Sequence, residues 1–537
     1  MQNLFSRISK PALGLAALAP LATSCGRQSQ QPNIIFFLVD DMGWVDSSVQ
    51  YGDELYPNNM RFNTPNMQRL SECSVVMGNA YAQAVSTPTR VSIMTGMNAA
   101  HAGITNWTSP YKDTYSDATG GGFSMVDGST KGDGIVEGDV LTHPEWNING
   151  ISPEPGIPHT QYETSLVQLL NDAGYYTIHV GKAHWAAAGT PGCNPYNHGF
   201  CVNIGGTMAG MPRNYQGTKN YGNTKELWNE FAVQNMCEYY GTETHLSEAL
   251  TREALKTLDY PISHKKPFYL YMAHYATHTP IQPDKRFVQK YRDMGMDEGQ
   301  ARYASMVEGV DKSLGDIMDF VQEKGIADNT VIIFMTDNGG NSENKNKGGI
   351  LHTQNKPLRE GKGSCYEGGV RVPMMIFWPG HTKARKCDIP VICEDLFPTI
   401  LDIAGVKDYN TVQEIDGKDL VPLLTKGKDA LDPVDMDPER PLVFHFPHKW
   451  KPYDLVDIDF LSAVRCGDWK LVYRIATGEL ELYNLKEDLG EEHNVAAEHP
   501  DITARLSSIL SGKLKAWNAP MPVFAATGEK APMPNEL

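Results

Sequence analysis

Four apolar segments of this chain have the composition of strands that are buried on both faces of a sheet. They are Asn33–Val39, Tyr175–Val180, Phe268–Ala273 and Thr330–Met335. Such continuous runs are typical of parallel strands, whose two faces are both covered by helices. A fifth run of this kind covers Val372–Trp378. These runs restrict the chain to a layered α/β architecture, because strands without a polar face need a helix layer on each side.

Helical patterns lie between the predicted strands. One short helix is predicted at Ser165–Asp172. From Tyr303 to Val321 the apolar residues recur at spacings of four and three, which predicts a long amphipathic helix whose stripe serves core packing alone. Strands that alternate with helices indicate an α/β fold, here a large domain with a mostly parallel mixed sheet flanked by helices.

The composition changes near residue 425, where a linker rich in Asp and Pro begins. Short strand patterns follow at residues 442–446, 462–466, 469–474 and 480–485, and a helix is predicted at about 500–517. We therefore predict a large first domain at 31–425, followed at 426–537 by the linker and a smaller C-terminal α+β domain with an antiparallel sheet.

Polar groups follow four of the apolar strands, at or shortly after the point where each strand ends. These groups are Asp40 and Asp41, Lys182 and His184, His278, and Asp337 with Asn338. Because functional sites in such sheets lie beyond the carboxyl ends of the strands, we expect these side chains to share one site.

Asp40, Asp41, Asp337 and Asn338 offer only oxygen ligands, the set that Ca²⁺ or Mg²⁺ prefers. Adjacent carboxylates also repel each other unless a cation lies between them. The alternative is that both pairs simply form turns or helix caps.

A helix start with an unusual composition occurs at Ser86–Arg90, where Pro88 suits the first turn and Ser86 lies near the cap. Backbone N–H groups at such an end would face an anion. The alternative is a capped surface helix.

This segment, followed by Thr95 and Gly96, resembles the signature of the type I, formylglycine-dependent sulfatases, which are arylsulfatase-like members of the alkaline phosphatase superfamily.

Further segments resemble the same family. Gly174–His184 resembles its second signature, although Ala183 stands where the family often has Trp. Other similar segments are residues 276–280 around His278, residues 358–363 around Lys362, residues 366–373, and, in the C-terminal part, residues 468–471 and 481–485. The resemblance covers about Asn33 to Ala496.

The resemblance implies that Ser86 is oxidised to formylglycine, whose hydrated aldehyde carries one hydroxyl to attack sulfur and another to expel sulfate. It implies one calcium ion, with Mg²⁺ as the less favoured choice. The ligands would be Asp40, Asp41, Asp337, Asn338 and Ser86.

The implied catalytic set is Ser86, Arg90, Lys182, His184, His278 and Lys362. Arg90, Lys182 and Lys362 would surround the sulfate oxygens and stabilise charge in the transition state. His278 is the candidate general acid and His184 the candidate base, and the assignment between the two stays open.

A serine in the signature implies maturation by an oxygen-independent radical formylglycine-generating enzyme, and so an anaerobic bacterium.

The N-terminus resembles a targeting segment. Arg7 and Lys10 precede an apolar stretch, Pro11–Ala22, that is too short to span a membrane. Cys25 follows as a candidate lipidated residue, so residues 1–30 are predicted to be the signal and tether of an exported periplasmic or outer-membrane lipoprotein. An ordinary signal peptide is the alternative. A membrane is then expected as a partner only through the lipid anchor.

The formal charge of −17 argues against a nucleic-acid partner, since a phosphate backbone requires a basic surface.

Beyond Cys25, eight cysteines remain in the chain. Cys193 with Cys201, and Cys387 with Cys393, are candidate disulfides for an exported protein, and scattered buried thiols are the alternative.

Three functions stay open at this point. The first is an exported sulfatase that acts on sulfated carbohydrate. The second is a phosphatase or phosphodiesterase of the same superfamily that uses unmodified Ser86. The third is a glycan-binding lipoprotein that has lost catalysis. Candidate sugar contacts, for which ordinary packing is the alternative, are His274, His445, His448 and Trp450.

Overall fold

The computed structural model describes residues 31–108, 141–142, 149–341, 355–426, 436–448, 459–524 and 526–537. The predicted signal segment with Cys25 and the candidate sugar contact Trp450 lie outside these residues. Among the helices of the described part, none combines the length and the apolar character that crossing a membrane requires.

An eight-stranded sheet forms the centre of the large domain. Its strands are β1 (Asn33–Val39), β2 (Val75–Met77), β3 (Tyr176–Gly181), β4 (Val202–Ile204), β5 (Phe268–Ala273), β6 (Thr330–Thr336), β7 (Met374–Phe377) and β8 (Arg385–Cys387). Their order across the sheet is β8-β2-β7-β6-β1-β5-β3-β4. Strand β7 runs antiparallel to both of its neighbours, and the other pairs are parallel. The predicted mostly parallel mixed sheet is thereby confirmed.

Helices cover both faces of this sheet. In chain order the described helices are α1 (Pro65–Ser71), α2 (Ser86–Thr95), α3 (Ala99–Ala102), α4 (Leu166–Asp172), α5 (Leu246–Ser263), α6 (Val288–Asp293), α7 (Glu298–Glu323), α8 (Glu367–Val370), α9 (Leu396–Ile403), α10 (Val421–Lys426) and α11 (Pro500–Ala516). Short strand pairs join Ala80–Tyr81 to Val391–Ile392, Leu141–Thr142 to Val523–Phe524, and Ile151–Ser152 to Gln161–Tyr162.

The central strand β1 supplies side chains to two separate hydrophobic cores. Phe36 and Leu38 face the core that includes α2, α4 and α9. Phe37 and Val39 face the core that includes α5 and α7. Successive side chains of a strand point to opposite faces, so a strand between two cores must be apolar at every position. This is the physical reason for the uninterrupted apolar run in the sequence.

A second sheet lies in the C-terminal part, and all of its neighbouring strands are antiparallel. Its strands, in spatial order, are β9 (Leu442–Phe446), β10 (Leu461–Cys466), β11 (Trp469–Arg474) and β12 (Glu479–Asn484). One face packs against α11. The other face joins a core of the large domain through residues such as Phe444 and Val472. The predicted α+β character is confirmed, whereas the boundary between 425 and 426 stays a prediction.

The structure contradicts both candidate disulfides, because none of the eight cysteines in the described residues forms a disulfide bond. The sulfur of Cys201 instead accepts hydrogen bonds from Asn171 and Thr177. Cys393 is buried and its sulfur contacts the carboxylate of Glu394 at 3.3 Å. The alternative considered from the sequence, scattered buried thiols, is correct for Cys365, Cys387, Cys393 and Cys466, whereas Cys201 and Cys237 are exposed.

Helix α1 is capped by a residue of α7 that is distant in sequence. The carboxylate of Asp311 accepts hydrogen bonds from the backbone N–H of Asn66 at 3.0 Å and of Met67 at 2.7 Å. We expect Asp311→Ala to lower the free energy of unfolding by about 2 kcal/mol, since the buried N–H of Met67 and the half-buried N–H of Asn66 would lose their acceptor. Denaturant titration measures the change.

A matched control is Asp316→Ala, which removes the same side chain from the same helix at a more exposed site paired with Lys312. There we expect a change below about 0.5 kcal/mol. Equal losses in the two variants would contradict the capping role of Asp311.

Candidate active site

The parallel register of the sheet brings three polar residues side by side. Val39 of β1 pairs with Thr336 of β6, and Gly181 of β3 pairs with Ala273 of β5, which itself lies beside β1. The residues that come next in the chain are Asp40, Asp337 and Lys182, and all three are fully buried. The structure therefore brings the ends of these strands together at one edge of the sheet.

Ser86 enters this group from the first residue of α2. Its hydroxyl oxygen lies 3.2 Å from Oδ1 of Asp40 and 3.1 Å from Oδ1 of Asn338. Nζ of Lys182 donates hydrogen bonds to that hydroxyl at 3.0 Å and to Oδ2 of Asp40 at 2.8 Å. The side chain at position 86 thus contacts residues that follow two strands and the buried ammonium group of Lys182.

Arg90 lies one turn further along α2 and fastens the helix to the sheet. Its guanidinium donates to Oδ2 of Asp337 from Nε at 2.9 Å, and a second nitrogen lies 2.8 Å from the same oxygen. A third nitrogen donates to the backbone carbonyl of Lys182 at 2.9 Å. Burial alone would raise the pKa of Asp337, but the charges of Arg90 and Lys182 outweigh it and lower that pKa.

The carboxylate of Asp41 contacts three more of the predicted site residues. Its Oδ1 accepts hydrogen bonds from Nδ2 of Asn338 at 2.9 Å and from Nζ of Lys362 at 2.5 Å. Nε2 of His278 lies 3.6 Å from Oδ2 of Asp41. Asp41 has a left-handed backbone conformation with φ of 60°, which Asp tolerates better than most residues.

The donor set fits a hard divalent cation. Ligand oxygens of Asp40, Asp41 and Asp337 lie within 4.8 Å of one another, and all three residues are buried. Burial and the neighbouring carboxylates raise the pKa of Asp40 to about 8, although Lys182 opposes the shift. A divalent cation would offset that repulsion, and carboxylate and amide oxygens are the ligands that Ca²⁺ and Mg²⁺ take.

His184 is buried beside α2, where it contacts Thr87. Its Nδ1 lies 3.2 Å from the hydroxyl of Thr87, and Nε2 lies 3.4 Å from the carbonyl oxygen of Thr108. Burial, followed by the positive charges of Lys182 and Arg90, lowers the pKa of His184 well below its ordinary value. The imidazole is therefore neutral near pH 7.

Two residues that support the site did not emerge from the sequence. The backbone N–H of Thr277 donates to the carbonyl oxygen of Asp40 at 2.6 Å. The hydroxyl of Tyr303 donates to Asp46 at 2.6 Å and lies 3.3 Å from the carbonyl oxygen of Asp41. The prediction that the α7 stripe serves core packing alone is wrong for Tyr303, whose hydroxyl among aliphatic neighbours was the available signal.

The histidines considered as sugar contacts are buried in the protein. Nε2 of His274 lies 2.9 Å from the hydroxyl of Ser313. Nε2 of His445 lies 2.7 Å from the carbonyl oxygen of Pro520, and Nε2 of His448 lies 2.7 Å from the hydroxyl of Thr105. Ordinary packing, the alternative considered from the sequence, describes these three residues correctly.

Two family models match this chain. The model described as Sulfatase matches residues 32–406. The model described as N-sulphoglucosamine sulphohydrolase, C-terminal, matches residues 361–517. A protein named Sulfatase from Formosa agariphila is 27% identical, with 100% of this chain and 99% of the relative covered. Human N-acetylgalactosamine-6-sulfatase is 27% identical, with 90% of this chain and 85% of the relative covered.

Solved structures of similar fold cover nearly the same length. Ps i-CgsB in complex with k-i-k-neocarrahexaose has a TM-score of 0.67 and 25% identity, with 90% of this chain and 93% of that one covered. BT4656 in complex with its substrate D-glucosamine-2-N,6-O-disulfate has a TM-score of 0.57 and 18% identity, with 91% and 98% covered. The chain belongs to the sulfatase family of the alkaline phosphatase-like superfamily and is a sulfuric ester hydrolase.

Proposed function

We propose that this enzyme hydrolyses sulfate esters of carbohydrates with a formylglycine made from Ser86 and one calcium ion held by the strand-end oxygens. The observation that carries the proposal is the position of Ser86, whose Oγ lies 3.2 Å from Asp40 and 3.1 Å from Asn338. A modified side chain at position 86 would therefore reach the same oxygens that fit the cation.

The choice of a carbohydrate substrate is supported by the names of similar proteins. A relative is named N-acetylgalactosamine-6-sulfatase, and two solved structures contain k-i-k-neocarrahexaose and D-glucosamine-2-N,6-O-disulfate. These ligands are different sugars, so we propose the class of sulfated glycans and no single member of it.

Formylglycine would supply the nucleophilic hydroxyl and, from the second hydroxyl of its hydrate, the means to expel sulfate. Calcium would supply positive charge at the sulfate oxygens. Lys182 lies 3.0 Å from Oγ of Ser86, and Lys362 is hydrogen-bonded to Asp41, so both ammonium groups border the place where sulfate would bind. We propose that these two lysines stabilise the charge that builds on sulfate in the transition state.

For Arg90 we propose a role other than the contact with sulfate oxygens that the family resemblance implies. It is fully buried and paired with Asp337, so we propose that it fixes α2 and the cation ligand Asp337 in position. We propose His278, which lies 3.6 Å from Asp41, as the general acid for the departing alcohol. We propose His184, whose imidazole is neutral near pH 7, as the base.

We also propose an export route and a maturation partner. The basic residues, apolar stretch and Cys25 of residues 1–30 support a lipid-anchored protein of the bacterial periplasm or outer membrane. The serine at position 86 supports activation by an oxygen-independent radical formylglycine-generating enzyme.

The modification gives a direct mass signature. When the protein is produced with an anaerobic radical formylglycine-generating enzyme, we expect the peptide across Ser86 to be lighter by two hydrogens, because an alcohol becomes an aldehyde. Peptide mass spectrometry measures the difference. Protein made without that enzyme is the control, and an unchanged peptide in active, co-produced protein would contradict the modification.

Calcium should stabilise the fold. We expect chelation to lower the Tm of the wild-type protein by roughly 3 °C or more, since a bound ion adds about 2.7 kcal/mol at about 100-fold its Kd. Asp40→Asn should abolish the response to added Ca²⁺, because a charged ligand is lost. Asp311→Asn, a buried carboxylate outside the cluster, should retain it. If neither chelator nor added Ca²⁺ changed the Tm of the wild-type protein, the proposed calcium site would be contradicted.

The reaction is tested by comparing paired aryl sulfate and phosphate esters, followed by a panel of sulfated oligosaccharides. We expect the matured enzyme to have the higher kcat/KM for the sulfate ester and to release sulfate from at least one oligosaccharide. Ser86→Ala should lower kcat by at least about 10³-fold with the fold intact, because the nucleophile is lost. Ser92→Ala in the same helix is the matched control. A preference for phosphate would favour the phosphatase alternative.

A further inference from the structure

Two segments that resemble the sulfatase family, residues 366–373 and 468–471, lie outside the proposed catalytic set and meet inside the protein. Lys470 of β11 is fully buried. Its Nζ lies 2.9 Å from a carboxylate oxygen of Glu367 and 2.9 Å from one of Glu491. A buried ammonium between two carboxylates is costly to disrupt, because removing one member leaves the others unpaired.

Glu367, a residue of the large domain, forms one of the two ion pairs with Lys470. It begins α8, is fully buried, and its other carboxylate oxygen accepts a hydrogen bond from the hydroxyl of Tyr81 at 2.7 Å. Its backbone N–H donates to Glu491 at 2.7 Å. Both the main chain and the side chain of this residue are therefore attached to the C-terminal part of the protein.

Further contacts to the C-terminal part occur on both sides of Lys362. Before it, the guanidinium of Arg359 donates to the hydroxyl of Tyr483 at 2.9 Å and to the carbonyl oxygen of Glu491 at 3.1 Å. After it, the hydroxyl of Tyr366 donates to Glu481 at 2.6 Å. Residues 359–367, here named the lysine loop, are thus held at both ends by the C-terminal sheet and the residues that follow it.

The middle of the lysine loop contacts the site itself. The backbone N–H of Lys362 donates to Gly340 at 3.1 Å, and that of Gly363 donates to Ala84 at 2.8 Å. At the same place Nζ of Lys362 donates to Asp41. The loop therefore connects the C-terminal sheet to the cation ligands and to the start of α2.

We propose that Lys470 is a positioning residue, which holds the lysine loop through Glu367 and Glu491 so that Lys362 reaches the sulfate site. The inference rests on the role proposed for Lys362 in catalysis. It gives the C-terminal sheet a part in the reaction, although Lys470 itself contacts neither Ser86 nor the carboxylates that fit the cation.

A double-mutant cycle separates this role from a purely structural one. The variants are Lys362→Ala, Lys470→Met and the two combined, measured as kcat/KM for an aryl sulfate on fully matured protein. We expect each single change to lower kcat/KM, Lys470→Met by about 10–100-fold, since small misplacements of a catalytic group have effects of this size. Without Lys362, Lys470→Met should cost less than about threefold, because its partner in catalysis is already absent.

Controls keep the cycle interpretable. Lys470→Arg should recover much of the activity, since it keeps the positive charge. Lys513→Met, on α11 of the same C-terminal part, should leave kcat/KM unchanged. If Lys470→Met does not fold, Tyr366→Phe removes one hydroxyl from the same attachment, and the same non-additivity is expected with a smaller loss, about threefold.

The cycle distinguishes a failure of the positioning role of Lys470 from a failure of the catalytic role proposed for Lys362. Equal factors for Lys470→Met with and without Lys362 would overturn the positioning role and leave the proposed function intact. Full activity in Lys362→Ala would overturn both the role of Lys362 and the inference that depends on it, while sulfate release by the wild type would still support the sulfatase reaction.

Discussion

The pairing of β1 with β6 is the constraint on which the site depends. Val39 and Thr336 are partners in parallel register, so the carboxylates of Asp40 and Asp337 must emerge next to each other. Both are fully buried, where like charges are expensive to hold together. Arg90 and Lys182 reduce that cost from α2 and from the end of β3, and each of them thereby ties another element of the fold to the same point.

The positive groups at the site are local exceptions in an acidic chain of net charge −17. Arg90, Lys182 and Lys362 come from a helix, a strand end and the lysine loop. Their shortest ion pairs are with Asp337, Asp40 and Asp41, respectively. The same contacts that allow the carboxylates to be buried also place ammonium groups where an anion would bind. Stability and the proposed catalysis therefore share one set of interactions, and a change at either lysine is expected to affect both.

The sequence predicted the parts of this structure that leave a local pattern. The bounds of β1 and β5 coincide with their apolar runs, and the residues after the strands meet as expected. The three-residue strands β2, β4 and β8 were missed, because so short a segment has no periodicity. The contacts of Tyr303, and of Lys470 with Glu367, were also missed, since they join residues that are far apart in the chain and depend on the folded packing.

The central claim is that one hard cation lies between the strand ends and touches the side chain at position 86. A crystal structure of matured protein grown with calcium, with anomalous scattering to locate the ion, tests it most directly. We expect one ion with oxygens of Asp40, Asp41, Asp337, Asn338 and residue 86 at about 2.3–2.6 Å. An ion bound elsewhere would contradict the claim. So would carboxylates that, at saturating calcium, still bind only their lysine and arginine partners and no ion.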